Sequence, residues 1–243
     1  MKLTYFLPLK NRLLTASIIL LAASTLLSSC LKDNSDDYVQ RPTANISFTH
    51  AAASQPSVYI FVDGTSVTGS TALLYSQFTQ YYSADVGSRL ITTTIGGSSS
   101  STLASKTVTL EENQIYSVFV ANKYTDKDSI TNILVKDTLT APTTGKAKVR
   151  FVQLSPGTGA YDVYKAGVSA PLFTNKKFSS VSSYMEVDPG TVKFSVREAG
   201  LTTDAAITGD VPVTAGGFYT VILSGQKGGV DTKELKAFAT VAQ

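Results

Sequence analysis

The sequence has one cysteine, one histidine and no tryptophan, and each scarcity closes off a class of chemistry. A single cysteine cannot form a disulfide within the chain or a cysteine-based structural zinc site. A single histidine rules out the common catalytic metal sites built on two or three imidazoles. Net charge is scarce too. The formal charge of +3 belongs to Lys2, Lys10 and Arg12, because the first 29 residues hold three basic groups and no acidic one. Beyond them, 18 basic residues face 18 acidic ones. A basic footprint has to sit on the folded domain to attract phosphates, so the pI of 8.8 gives no reason to expect nucleic acid as a partner.

Long apolar runs are missing apart from Leu13 to Ser29, 17 uncharged residues that follow the three positive charges. That length is at the lower end for crossing a bilayer and suits a secretory h-region with its cleavage site. Leu27-Ser28-Ser29-Cys30 resembles the lipobox of bacterial lipoproteins, in which Leu and two small residues precede a cysteine that becomes the acylated first residue. The resemblance implies a signal peptide over residues 1–29, lipid attachment at Cys30 and anchoring to a membrane; two or three acyl chains hold stably where one is marginal. The polar, acidic stretch Leu31-Lys32-Asp33-Asn34-Ser35-Asp36-Asp37 has too little apolar surface to fold, so residues 30–42 read as the acylated cysteine and a solvated tether. It resembles the post-cysteine signals of Bacteroidetes-type lipoproteins, which implies an outer-membrane protein exposed at the cell surface. A plain spacer would leave it facing the periplasm.

The rest of the chain repeats itself at a shift of 103 residues. Ala44-Asn45-Ile46-Ser47-Phe48 falls on Ala147-Lys148-Val149-Arg150-Phe151, and Ile115-Tyr116-Ser117-Val118 falls on Phe218-Tyr219-Thr220-Val221. Between them, Leu74-Tyr75-Ser76-Gln77-Phe78 matches Leu172-Phe173 and Phe178 only after small insertions. A unit of about 100 residues is domain-sized, well beyond the roughly 20 to 50 of a solenoid repeat. Two domains are therefore expected, over residues 43–140 and 147–243, joined by a linker at 141–146.

Both units read as β. Ser57-Val58-Tyr59-Ile60-Phe61-Val62 and Tyr219-Thr220-Val221-Ile222-Leu223 are β-branched and aromatic, alternating in polarity or fully apolar. Asp63-Gly64, Ala166-Gly167, Asp188-Pro189-Gly190 and Gly216-Gly217 separate such runs with the residues that turns require. Helical periodicity with caps is absent after residue 42. The expected fold is all-β: two tandem antiparallel β-sandwich domains of immunoglobulin or prealbumin type. Candidate core residues are Phe48, Ile60, Val62, Val118 and Val120, then Phe151, Val163, Phe194, Val221 and Leu223.

Val149-Arg150-Phe151-Val152-Gln153-Leu154-Ser155-Pro156, then Tyr161-Asp162-Val163-Tyr164 with Gly167, and later Asp188-Pro189-Gly190-Thr191, resemble the DUF4397 family of secreted and lipid-anchored bacterial proteins. The pattern there runs approximately Val-Arg-Val-Val-His-Ala-Ser-Pro, Val-Asp-Val-Tyr-Val-Asp-Gly and Pro-Ala-Gly-Thr. The resemblance covers nearly all of the second unit and the first more faintly. It implies architecture and location and no catalytic activity. The first copy keeps the family histidine as His50 but has Ala52-Ala53 for Ser-Pro and Tyr59 for the aspartate. The second keeps Ser155-Pro156 and Asp162 but has Gln153 for the histidine. A site needing His, Ser and Asp together is complete in neither, so the signature reads as strand-end and turn chemistry.

No other constellation supplies chemistry. His50 lacks a Gly-x-Ser-x-Gly elbow and reads as a polar rim residue at a strand end. Adjacent Glu111 and Glu112 would face opposite sides of a strand, so they read as solvated turn charges. Asp126-Lys127-Asp128-Ser129 opens like a calcium loop but has Thr131 and Asp137 where Gly and Glu belong, which makes it a hairpin connection. Gly96-Gly97-Ser98-Ser99-Ser100-Ser101 lacks the Gly-Lys-Ser/Thr of a phosphate loop. Tyr81 and Tyr82, with Tyr75 nearby, are the candidate ligand contacts, since exposed tyrosines stack on sugars and anchor interfaces. The expectation is a non-catalytic cell-envelope lipoprotein with no cofactor or metal, displaying two sandwiches to an envelope protein or glycan. The alternatives are a fimbrillin-like adhesin or pilus component, and a glycan-binding accessory protein of a polysaccharide-uptake system.

Overall fold

The β-branched runs and their Gly, Asp and Asn punctuation form nineteen strands in a computed structural model, which describes residues 41–97 and 101–242. The expected signal peptide, Cys30 and most of the expected tether lie outside the described residues. The first repeat holds β1 (Thr43–Ala51), β2 (Ser57–Val62), β3 (Thr65–Ser66), β4 (Leu73–Leu74), β5 (Tyr82–Asp85), β6 (Gly87–Thr94), β7 (Thr102–Leu110), β8 (Ile115–Asn122) and β9 (Ile130–Asp137). The second holds β10 (Ala147–Gln153), β11 (Tyr161–Lys165), β12 (Pro171–Lys176), β13 (Met185–Val187), β14 (Gly190–Val192), β15 (Phe194–Glu198), β16 (Asp204–Ile207), β17 (Val211–Val213), β18 (Phe218–Ser224) and β19 (Lys236–Ala242).

Each repeat is a sandwich. In the first, sheet β5-β1-β8-β9 faces sheet β3-β2-β6-β7, with Ile46, Phe48, Val118 and Val120 meeting Val58, Ile60 and Ile91 in one core. In the second, sheet β13-β10-β18-β19 faces β12-β11-β15-β16 and the short pair β14-β17, around Val149, Phe151, Val163, Phe194, Val221 and Leu223. Nine of the ten expected core residues are fully buried; Val62, at the end of β2, is half-buried. The all-β sandwich reading holds, with one change to its pairing. β1 runs parallel to β8, with Asn45 opposite Ile115, and β10 runs parallel to β18, with Lys148 opposite Phe218. Parallel neighbours need a long connection, and here it is the entire opposite sheet of each sandwich.

The shift of 103 is stricter in space than in sequence. Thr49 bridges to Phe78 as Val152 bridges to Val181, so Phe78 corresponds to Val181 and not to Phe178. Val58 faces Leu73 as Tyr161 faces Lys176. The insertions inferred for this stretch are absorbed between those points by bulges in the pairing of β11 with β12.

The two sandwiches do not stand apart across a linker; residues 42–243 form one compact unit. Successive side chains on a strand point to opposite faces. Phe48, Val118 and Phe151 point into their own cores, so Ala51, Phe119, Val152 and Ile222 point outward, where they bury one another with Leu154 and Phe238 in a third apolar cluster. Four sheets thus stack in order outer, inner, inner, outer. β8 and β18 are buried on both faces along nearly their whole length.

Candidate binding site

The family signature builds turns. His50 Nδ1 accepts the amide of Ala52 at 3.3 Å, and its Nε2–H donates to the carbonyl of Gln55 at 3.0 Å. In the second sandwich Gln153 Oε1 accepts the amide of Ser155 at 2.6 Å, and its Nε2 donates to Thr158 Oγ at 3.1 Å. Histidine and glutamine are therefore the same part: a side chain that clamps the loop two and five residues ahead. Ser155 completes the second loop by donating to the carbonyl of Gly225. His50 is fully buried, which corrects its reading as a rim residue. The loop folds back over the strand end, and burial lowers its pKa from 6.5 to about 4, only partly opposed by the hydrogen bond to Gln55. A second matched pair is Tyr116, whose hydroxyl accepts the amide of Glu111, and Tyr219, whose hydroxyl accepts the amide of Thr214. Both reach five residues back, as in the tyrosine corner of immunoglobulin-type sandwiches.

The three candidate tyrosines go to different places. Tyr75 lies between the sandwiches: its hydroxyl meets Ser224 Oγ at 2.6 Å, its ring packs edge-on to His50 and Phe238, and Lys236 lies over its face. Burial raises the pKa of its hydroxyl. Tyr81 donates to Asp137 Oδ2 at 2.8 Å. That carboxylate sits in a buried polar cluster at the same interface, taking Arg150 Nη1 at 2.6 Å and Ser117 Oγ at 2.6 Å. Arg150 also donates to Thr220 and Ser117, and its guanidinium lies 5.0 Å from the centre of the Tyr184 ring. Burial first, and the charge of Asp137 second, push the Tyr81 hydroxyl well above the usual phenol range.

Tyr82 alone of the three lacks a hydrogen-bond partner for its hydroxyl, which is buried. Its ring stacks on Phe48 with centroids 6.0 Å apart, and burial, helped by the charge of Asp63, raises its pKa. It lines an open groove of about 730 Å³ at the edge of the first sandwich, between β5 and β3, with Asp63, Ser66, Asp85 and Arg89 among the other walls. Asp63 holds the tight turn after β2 at φ 48°, and accepts the Leu90 amide at 2.7 Å and Arg89 Nη1 at 2.8 Å. The Leu90 amide first and Arg89 second hold its carboxyl below the usual range. Arg89 Nη2 donates to the carbonyl of Val86, but the buried Nε–H of Arg89 has no partner.

The other sequence candidates fall where turns were expected. Glu111 and Glu112 are exposed, with Glu111 pairing to Lys136 at 2.7 Å. Asp126 organises the β8 to β9 connection by accepting the amides of Asp128 and Ser129. Gly96 and Gly97 lead out of β6 at the hairpin to β7. Sequence reasoning passed over Arg89, Asp137 and Arg150. Arg150 carried a weak signal, a charge within the apolar run Val149-Arg150-Phe151-Val152, whereas Asp137, beside Lys136 at the end of β9, and Arg89 carried none.

Three kinds of comparison bear on identity. A family model described as a domain of unknown function, DUF4397, matches residues 44–164 and again 155–241. No curated protein matches the chain. Among solved structures, the Bacillus anthracis TIE protein is similar at 9% identity and a TM-score of 0.24, over 75% of this chain and 34% of its own. The chain thus spans about a third of that protein. A CBM26 module of Eubacterium rectale Amy13K, solved with maltoheptaose, is similar at 11% identity and a TM-score of 0.25, over 82% of this chain and 95% of its own. A candidate cell-adhesion protein of Bacteroides eggerthii is similar at 10% identity and a TM-score of 0.19, over 84% and 96%. The family match spans most of the chain in two overlapping regions, and the chain belongs to the DUF4397 family.

Proposed function

We propose that this protein is a non-catalytic envelope lipoprotein that presents a rigid pair of β-sandwiches at the outer membrane and binds a partner in the groove beside Tyr82. The observation that carries the binding role is the groove itself, an open cleft of about 730 Å³ between β5 and β3 with Asp63, Tyr82 and Arg89 among its walls. The engagement of both His50 nitrogens in turn-forming hydrogen bonds supports a role without acid–base chemistry. Lipid attachment at Cys30 and the acidic tether support location at the outer membrane, facing outward.

Two tests follow. Tyr82→Phe keeps the ring on Phe48 and removes the unpaired hydroxyl, so unliganded protein should gain about 1 kcal/mol in urea unfolding. A loss of stability would show that the hydroxyl serves the fold; retention of envelope-protein or glycan partners that is unchanged in Tyr82→Ala would remove the binding reading. For the anchor, cells fed labelled palmitate should label the wild-type protein, and Cys30→Ala should abolish the label and release the protein from the membrane fraction. Unchanged fractionation of Cys30→Ala would overturn the anchor. Protease shaving of intact cells tests exposure; resistance until the outer membrane is opened would contradict it.

A further inference from the structure

We infer that Lys106 holds the long free sheet edge of β7 against pairing with the same edge of a second chain. β7 runs nine residues, Thr102–Leu110, and is hydrogen-bonded to β6 on one side; among the described residues no strand continues the sheet on the other. An edge of that length offers a row of backbone N–H and C=O groups to any extended segment, and every further copy of the protein brings a matching one. Directly opposed residues of neighbouring strands share a face. Lys106 lies opposite Ile91, which is fully buried, and Val108 and Leu110, two and four residues on, are buried in the same core. The alternation of β7 therefore calls for an apolar residue at 106, yet the position holds an exposed lysine on the inward face. An inward-pointing charge on an edge strand lets the monomer keep its charge in water and forces an added strand to bury it.

The position of the lysine sharpens the effect. Residue 106 is the midpoint of β7, so antiparallel pairing of two such edges over their full length sets Lys106 of one chain against Lys106 of the other. Like charges directly opposite are destabilising. Sliding the register by two residues shortens the pairing and sets each lysine against Ala104 or Val108 on the face that continues the core. The second sandwich closes the matching edge in another way. Gly87 pairs with Leu110 as Gly190 pairs with Val213, each shifted by 103, so β7 corresponds to β16 and β17 together. There the edge is broken: β16 ends at Ile207, Gly209 stands at the place of Lys106, and the three residues of β17 have Pro212, which lacks an N–H, exposed at their centre. Short strands and proline are the other common means of closing an edge. The repeat whose edge is unbroken is the one that carries the charge.

The test is sedimentation of the full chain from about 1 to about 100 µM, in detergent with micelles in excess over protein, together with amide exchange across residues 103–110. Exchange in β1 and β8 reports that each variant is folded. Wild type should sediment as one chain, with exchange in β7 independent of concentration. Lys106→Thr, which removes the charge without adding apolar surface, and Lys106→Val should double in mass at the upper concentration and slow exchange in residues 103–110 by about three- to tenfold. Lys106→Glu exchanges one self-repelling charge for another and should remain a single chain. Folded Lys106→Thr and Lys106→Val that stay single chains would overturn the proposal. Pairing by Lys106→Glu, pairing of the wild type through β7, or slowed exchange confined to residues outside β7 would overturn it equally.

Discussion

Between pH 6.5 and pH 4 the protein should lose about 3 kcal/mol of stability through His50, and His50→Gln should remove that loss. In the folded chain the Nε2–H bond to the Gln55 carbonyl leaves Nδ1 as the acceptor for the Ala52 amide, so the ring is neutral. A proton added at Nδ1 would place a donor against a donor inside a fully buried site. The folded pKa, about 4, lies below the unfolded value of 6.5, so the unfolded chain binds more protons anywhere between them. The stabilisation is complete above pH 6.5, falls as pH drops through the window and levels off below 4. Exposed carboxylates with lowered pKa, such as Asp63 and Asp188, also lose stabilising charge in acid, but they begin near their unfolded value of 3.8. Glutamine is the substitution of choice because Gln153 already makes the same pair of bonds in the second sandwich. Urea midpoints at pH 7, 5.5 and 4.5 should separate the two proteins progressively; parallel profiles would show that His50 takes up its proton as readily in the folded chain as in the unfolded one, and would contradict the lowered pKa.

Asp137→Ala should be the most damaging single polar substitution in the described residues, at about 3–5 kcal/mol. The Asp137 side chain is fully buried and that of Arg150 is 4% exposed, so deleting the carboxylate strands a guanidinium between Phe119 and Tyr184 with only hydroxyls to satisfy it. The pair itself need not be strongly stabilising, because burying two charges costs about as much as their attraction returns. Replacing both, as Asp137→Leu with Arg150→Met, should therefore recover most of the loss. Glu111→Ala provides the contrast. It breaks a pair with a similar N–O distance, but both side chains are about half exposed, and the expected change is under about 1 kcal/mol. Equal losses in Asp137→Ala and Glu111→Ala would mean that burial between the sandwiches is not what gives the inner pair its weight.

The contacts that sequence could announce were local ones. Turn residues, strand polarity and the repeat located the strands and nearly all of both cores, because each sandwich buries one face of its own alternating strands. The run Tyr219-Thr220-Val221-Ile222-Leu223 also hinted that a strand was buried on both faces, yet nothing in it says what covers the second face. The partner is the other repeat, and such pairing depends on contacts between residues such as Phe119 and Ile222 that lie about a hundred positions apart. The same gap explains the tyrosines. Tyr75, Tyr81 and Tyr82 look alike in sequence, but Tyr75 and Tyr81 meet Ser224 and Asp137 at the junction, and Tyr82 faces the groove. Arg89 meets Asp63 only because β2 pairs with β6, which sets Arg89 against the carboxylate at the turn after β2.

The duplication has left one symmetric frame with unlike contents. Tyr116 and Tyr219 do identical work, and His50 and Gln153 do equivalent work, whereas Ser47 and Arg150 occupy matching positions and only Arg150 carries the charge that ties the halves together. The consequence is a single body in which the first sandwich, with its groove, is supported by the second.

That single body is tested most directly by following the two outer sheets separately through one denaturant titration, with amide exchange read at Ile60 and Phe61 in β2 and at Val163 and Tyr164 in β11. Burial of Phe119, Ile222 and Phe238 between the sandwiches, with the Asp137–Arg150 pair, predicts that both sheets lose protection at the same urea concentration. Two separated transitions, with one sheet protected after the other has opened, would contradict it.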